Sequence, residues 1–104
     1  MSVIELNKDS FKEEVLNSNN RVLVDFYANW CGPCKMLRPI IEEVSNENKN
    51  VKVASINIDN NDELAMKYNV SAIPCLILFE NGKELKRSIG LVSKDEVETI
   101  IGDN

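Results

Sequence analysis

Cys31 and Cys34 are separated only by Gly32 and Pro33, with Trp30 ahead of them and Lys35 behind. Two thiols at this spacing can close into a disulfide and reopen. A Cys-x-x-Cys in a βαβ setting reads as a dithiol redox site. The thiolate is the species that attacks a disulfide sulfur. Cys31 falls where an apolar, strand-like run has ended and a helical pattern begins. The first N–H groups of a helix have no intrahelical partner, and the positive end of its dipole lies there. Both favour a thiolate, so the pKa of Cys31 is expected to fall. Cys34, one turn further in, is expected to be less exposed and to resolve a mixed disulfide formed at Cys31. Gly32 and Pro33 keep the loop short, so a target chain can approach. A zinc site is the competing reading of two close cysteines. A structural zinc takes four Cys or His ligands, and this chain has one further cysteine, Cys75, and no histidine. No metal is therefore expected.

Asp25 stands inside the apolar run Val22 to Ala28. A carboxyl there is rarely buried without a partner, and desolvation raises its pKa. If that strand ends beside the helix bearing Cys34, Asp25 lies beneath the thiol and a water can bridge the two. It is then either a proton acceptor for Cys34 or a structural carboxyl bonded to backbone or water, and the residues alone leave both open. Ile73-Pro74 opens a later strand. If that strand lies antiparallel beside Val22–Ala28, Pro74 faces the cysteine pair. Proline cannot donate a ladder bond, which leaves neighbouring backbone free to pair with an extended substrate. Most X-Pro bonds are trans, so the residues alone do not favour cis. Trp30 reads either as an apolar contact for partners or, the commoner fate, as a core aromatic. Cys75 reads first as a small buried hydrophobe.

The totals bound what this site can serve. At 104 residues the chain is enough for one domain, 1–104, with one core. A net charge of −5 with scattered basic residues argues against nucleic acid. No stretch approaches the roughly 20 apolar residues of a membrane span. The first residues lack a basic region followed by an apolar block, so no secretory signal is read and the cytosol is the expected compartment. The lack of histidine removes Cys-His dyads, and three cysteines cannot all pair within one chain.

The elements that must hold the pair follow in order. Val3 to Leu6 suits a short strand, Asn7 to Ser10 offers helix caps, and Ser10 with Glu13 fits a capping box for a helix carrying Phe11 and Val15 on one face. Val22 to Ala28 reads as a central strand buried on both faces. Leu37, Ile40, Ile41 and Val44 then repeat at helical spacing, with Pro33 in the first turn, Pro39 well inside and a kink expected near Lys35 to Pro39. Val51 to Ile58 is the next strand, followed by a short helix over Asp62 to Tyr68. Leu76 to Phe79 is a buried strand, and Asn81-Gly82 is a hairpin signal. It leads into Lys83 to Ile89, whose charges suit a sheet edge. Ser93 and Glu96 cap a last helix carrying Val97, Ile100 and Ile101. The order βαβαβαββα predicts an α/β fold, parallel strands joined by right-handed crossovers and then an antiparallel hairpin, in a mixed sheet covered by helices on both faces.

Asp25-Phe26-Tyr27-Ala28-Asn29-Trp30-Cys31-Gly32-Pro33-Cys34-Lys35 resembles the active-site signature of the thioredoxin family. Asn57-Ile58-Asp59, Ile73-Pro74, Phe79-Glu80-Asn81-Gly82 and Gly90 fall where that family has similar elements, so the resemblance runs essentially the full length. It implies the thioredoxin fold, with a central five-stranded mixed sheet. It implies a protein-disulfide reductase and electron carrier in which Cys31 attacks and Cys34 resolves. Asp25 would be the buried acid–base group and Pro74 a cis proline beside the dithiol. Trp30, Gly32, Pro33, Ile73 and Gly90 would line the partner-binding surface. The implied partners are disulfide-containing target proteins and a separate thioredoxin reductase, NADPH- or ferredoxin-linked. No Gly-rich dinucleotide fingerprint is present, so no cofactor is expected beyond the cysteine pair itself, and a monomer is expected. Three positions depart from the common pattern: Tyr27 stands for a tryptophan, Ser55 for a lysine beside the buried carboxylate, and Cys75 for a threonine. The loss of a cation at position 55 leaves desolvation of Asp25 with less opposition.

Two other functions compete. A binding module would hold its partner whatever the redox state, but both cysteines and Asp25 are intact. An oxidant or isomerase is disfavoured by the missing signal and by the absence of a histidine between the cysteines.

Overall fold

A computed structural model describes residues 3–102 of the chain. The β-forming runs are Val3–Leu6 (β1), Arg21–Tyr27 (β2), Val51–Asn57 (β3), Cys75–Glu80 (β4) and Lys83–Ile89 (β5). Among the described residues they form one five-stranded sheet in the order β1-β3-β2-β4-β5. β1 and β2 flank β3 in parallel, while β2–β4 and β4–β5 are antiparallel. The mixed sheet is the one expected, and β2 is its centre. β5, rich in Lys, Arg and Glu, is an edge, where charge discourages further pairing.

Because side chains alternate along a strand, β2 feeds two cores. Val22, Val24 and Phe26 face one side with Phe11, Val15, Ile56, Ile77 and Phe79. Leu23 faces the other with Leu37, Ile41, Val44, Leu76 and Val97. That second side is covered by the helices Gly32–Glu47 (α2) and Lys94–Gly102 (α4). Asp25 is two residues beyond Leu23, so its carboxyl falls on the α2 side.

The first helix corrects one expectation. Its N-cap is Asn7, whose side chain accepts the N–H groups of Asp9 and Ser10, while Ser10 Oγ accepts the Asn7 N–H at 3.1 Å. Ser10 is therefore the reciprocal partner in the capping box and lies inside Lys8–Phe11 (α1), which continues as a π-helical turn over Lys12–Leu16. Asn competes well with Ser for this position because its amide oxygen reaches two N–H groups at once. The box at α4 is as expected: Ser93 Oγ accepts the Glu96 N–H, and Glu96 accepts the Ser93 N–H. α2 continues through Pro39 as one element. The remaining helix, Asp62–Lys67 (α3), ends at Tyr68, whose ring packs edge-on to Phe79 at 5.3 Å. Asn81 (φ 53°) and Gly82 (φ 79°) are both left-handed, as a tight hairpin turn requires.

Candidate active site

The site forms where β2 ends and α2 begins. Ala28 turns the chain: its carbonyl accepts the Cys31 N–H at 3.2 Å, and Tyr27 O accepts the Ile58 N–H at 2.9 Å. Cys31 is itself the N-cap of α2. Its backbone is extended, and its Sγ accepts the N–H of Cys34 at 3.2 Å. A sulfur thus occupies the place that a Ser or Asn oxygen usually holds, against an otherwise orphaned helix N–H. Pro33 fits here because its missing N–H has no bond to lose. Cys31 and Cys34 are joined as a disulfide, with Cα atoms 5.2 Å apart.

In this oxidised form Cys31 is 5% exposed and Cys34 4%. The expected contrast in exposure is therefore slight, because the shared S–S bond draws both sulfurs against Ala28 and Ile73. Gly32 and Pro33, between them in the first turn of α2, are exposed. Trp30 is 69% exposed, held by an Nε1–H bond to Asp59 at 2.9 Å. It is no core aromatic.

β4 pairs Cys75 with Phe26, which brings the preceding Pro74 level with the end of β2. The Ile73–Pro74 peptide is cis. Pro74 is buried, its carbonyl accepts the Gly90 N–H at 2.8 Å, and Ile73 packs against the cysteine pair. Cys75 is buried at 1% exposure, and burial pushes its thiol pKa up.

Asp25 is 1% exposed, and its Oδ1 has no hydrogen-bond partner among the described residues. It shares a cavity of 220 Å³ with Cys34, Tyr27, Lys35 and Arg38. Burial pushes its pKa up to about 7, with the Arg38 guanidinium pulling downward and Glu5 adding a smaller upward push. The cavity has room for solvent beside the Asp25 carboxyl.

Arg38, which the residues alone do not single out, lines the same cavity. Its Nη1 donates to Ser55 Oγ at 2.7 Å. Ser55 is the β3 partner of Asp25 in the sheet register. The charge therefore comes from α2 rather than from β3. The signal was helical spacing: Arg38 follows Cys34 by four residues, which sets both on one face.

The model of the family described as Thioredoxin matches residues 2–103 of this chain. The chain belongs to the thioredoxin family. It is 46% identical to the thioredoxin of Buchnera aphidicola subsp. Acyrthosiphon pisum, over 98% of this chain and 95% of the relative. It is 52% identical to that of Rickettsia felis, over 85% of each. It is also similar to the bifunctional thioredoxin reductase/thioredoxin of Mycobacterium leprae, at 47% identity over 88% of this chain and 20% of that protein. Thioredoxins are thiol–disulfide oxidoreductases that work through a cysteine pair, and this one carries the pair at Cys31 and Cys34. Its chemistry is dithiol–disulfide exchange. Among its described residues no helix is long and apolar enough to cross a membrane.

Proposed function

We propose that the chain acts as one domain over 1–104, a cytoplasmic, monomeric protein-disulfide reductase in which Cys31 is the attacking sulfur and Cys34 the resolving one. The Cys31 thiolate attacks one sulfur of a target disulfide. A Cys31–target bond forms and the other target sulfur leaves as a thiolate. The Cys34 thiolate then attacks Cys31 Sγ, closing the Cys31–Cys34 disulfide and releasing the second target thiolate. The target gains two electrons and the protein loses two. The observation that carries this assignment is the Cys34 N–H directed at Cys31 Sγ, which favours negative charge on Cys31 and none on Cys34.

Cys34 must lose its proton before it resolves. Asp25, raised to about 7 and facing the same cavity, is matched to accept that proton near neutral pH, through a bridging water, and to return it when the direction reverses. Trp30, Gly32, Pro33, Ile73, Pro74 and Gly90 form the surface on which an extended target segment lies. A separate reductase restores the dithiol, with NADPH or ferredoxin as its electron source. The Mycobacterium leprae relative, whose name joins a reductase to a thioredoxin, supports such a partner. No cofactor beyond the cysteine pair is needed for the two steps.

The test is a Cys34→Ser variant incubated with a disulfide-bonded target protein. A mixed disulfide at Cys31 should accumulate. A folded Cys34→Ser protein that traps nothing, or a Cys31→Ser protein that traps equally well through Cys34, would sink the assignment.

A further inference from the structure

We propose that Arg38 is the positioning residue that poises Asp25 for proton exchange with Cys34, supplying from α2 the cation that position 55 lacks. The proposal rests on the acid–base reading of Asp25 above.

Four contacts fix the guanidinium at the wall of the Asp25–Cys34 cavity. Nη1 donates to Ser55 Oγ at 2.7 Å, Nη2 lies 3.7 Å from Glu5 Oε1, and Nε lies 3.5 Å from Glu42 Oε2. The guanidinium carbon stands 5.3 Å from the centroid of the Tyr27 ring. These partners come from β3, β1, α2 itself and β2. Ser55 is wholly buried and uncharged. It tethers the arginine beside Asp25 without adding a charge of its own.

The titratable groups facing Asp25 come from β1, β2 and α2. β1 offers Glu5, whose Oε2 accepts the Tyr27 hydroxyl at 2.8 Å. β2 offers Tyr27, whose own pKa is pushed up to about 12 by burial and that bond, so it stays neutral. α2 offers Cys34, Lys35 and Arg38. Cys75 of β4 is paired with Phe26 and lies on the opposite face of the sheet, where burial pushes its thiol pKa up. Lys35 lines the cavity but its side chain is exposed. Arg38 is thus the tethered cation opposing both burial and Glu5. Without it, the carboxyl is mostly protonated at neutral pH and fewer molecules can take a proton from Cys34.

The experiment uses the full-length oxidised protein with carboxyl-labelled aspartate and follows the Asp25 carboxyl by carbon NMR across pH. Arg38→Leu is expected to raise its midpoint by about one pH unit, the low end of what a neighbouring opposite charge does. Arg38→Lys is expected to keep most of the wild-type midpoint. Adding Ser55→Lys to Arg38→Leu is expected to bring the midpoint back down. An unmoved midpoint in Arg38→Leu overturns the proposal, as does a shift that neither lysine reverses, because a purely structural loss would not be repaired by charge. In parallel, the pH dependence of target release by Cys34 from a preformed Cys31 mixed disulfide is measured, and its inflection should follow the carboxyl. A carboxyl that moves while the release inflection does not overturns the acid–base reading of Asp25 and still supports Arg38 as its cation.

Discussion

The Cys34 N–H donates to Cys31 Sγ across 3.2 Å, so the two cysteines are unequal although they share one bond. The sulfur at the N-cap receives the helix's free donor. The sulfur one turn inward faces a cavity with a carboxyl instead. One element boundary therefore assigns different environments to two identical side chains three residues apart.

In the reduced protein this inequality should be read directly by alkylation. Iodoacetamide near neutral pH is expected to modify Cys31 first, with Cys34 slower. Cys75 should stay unmodified until the chain unfolds, since it is 1% exposed and burial raises its thiol pKa. Peptide mass spectrometry after timed quenching checks the order. Labelling of Cys75 at the rate of Cys31 in the native state would contradict the buried environment.

Asp25 should leave its mark on stability against pH. Its folded pKa of about 7 exceeds the unfolded value of 3.8, so between those values the native state holds a proton that the unfolded chain has lost. Stability contributed by this group is then complete below the unfolded pKa and falls as pH rises, until it levels off above the folded pKa. A separation of this size corresponds to at most about 4 kcal/mol. Asp25→Asn should abolish that slope, whatever its absolute stability, because it titrates in neither state. Urea unfolding of the oxidised protein across the window checks this, and parallel slopes for the two proteins would refute it.

Trp30 separates function from stability. It is 69% exposed and bound to the fold through one surface hydrogen bond, so Trp30→Ala should cost under about 1 kcal/mol of stability. Exposed tryptophans beside a reactive group are strong anchors for partners. Loss of the ring should therefore lower kcat/KM for a protein disulfide by roughly tenfold, about 1.4 kcal/mol of transition-state binding. Its effect on a small disulfide should be less. Equal losses on large and small substrates would place Trp30 outside the target surface.

Much of this fold is legible in the residues because β2 and α2 carry strong, unmixed periodicities. Val22 to Phe26 has no room for a helix's polar face, and Leu37, Ile41 and Val44 have no room for a strand's alternation. The cysteine pair is legible for the same reason, since its place between those two patterns is what gives it a helix N-terminus. What spacing could not reveal depends on contacts distant in sequence. Arg38 reaches Ser55, seventeen residues away, and Glu5, on another strand. No local pattern records that meeting. The stretch Asn7 to Ser10 is legible as a cap, but Asn7 and Ser10 both qualify by type and only the backbone decides which is outside the helix.

The hairpin offers a test of the fold that leaves the chemistry alone. Gly82 has φ of +79°, and a Cβ there would lie 2.8 Å from the backbone oxygen of Leu16. Alanine must accept a left-handed backbone and also push against a carbonyl that cannot swing aside as a side chain would. Together these should cost about 1–3 kcal/mol. The turn lies at the far end of β4 from Pro74, a span of about 20 Å for a strand of six residues. The dithiol should not feel it. Gly82→Ala is therefore expected to lower the urea midpoint with an unchanged m-value, while the exchange rate per folded molecule stays at the wild-type level. A variant of unchanged stability would mean that the turn and the Leu16 carbonyl yield freely. A stable variant with impaired exchange would mean that β4 transmits the change along its length to Pro74.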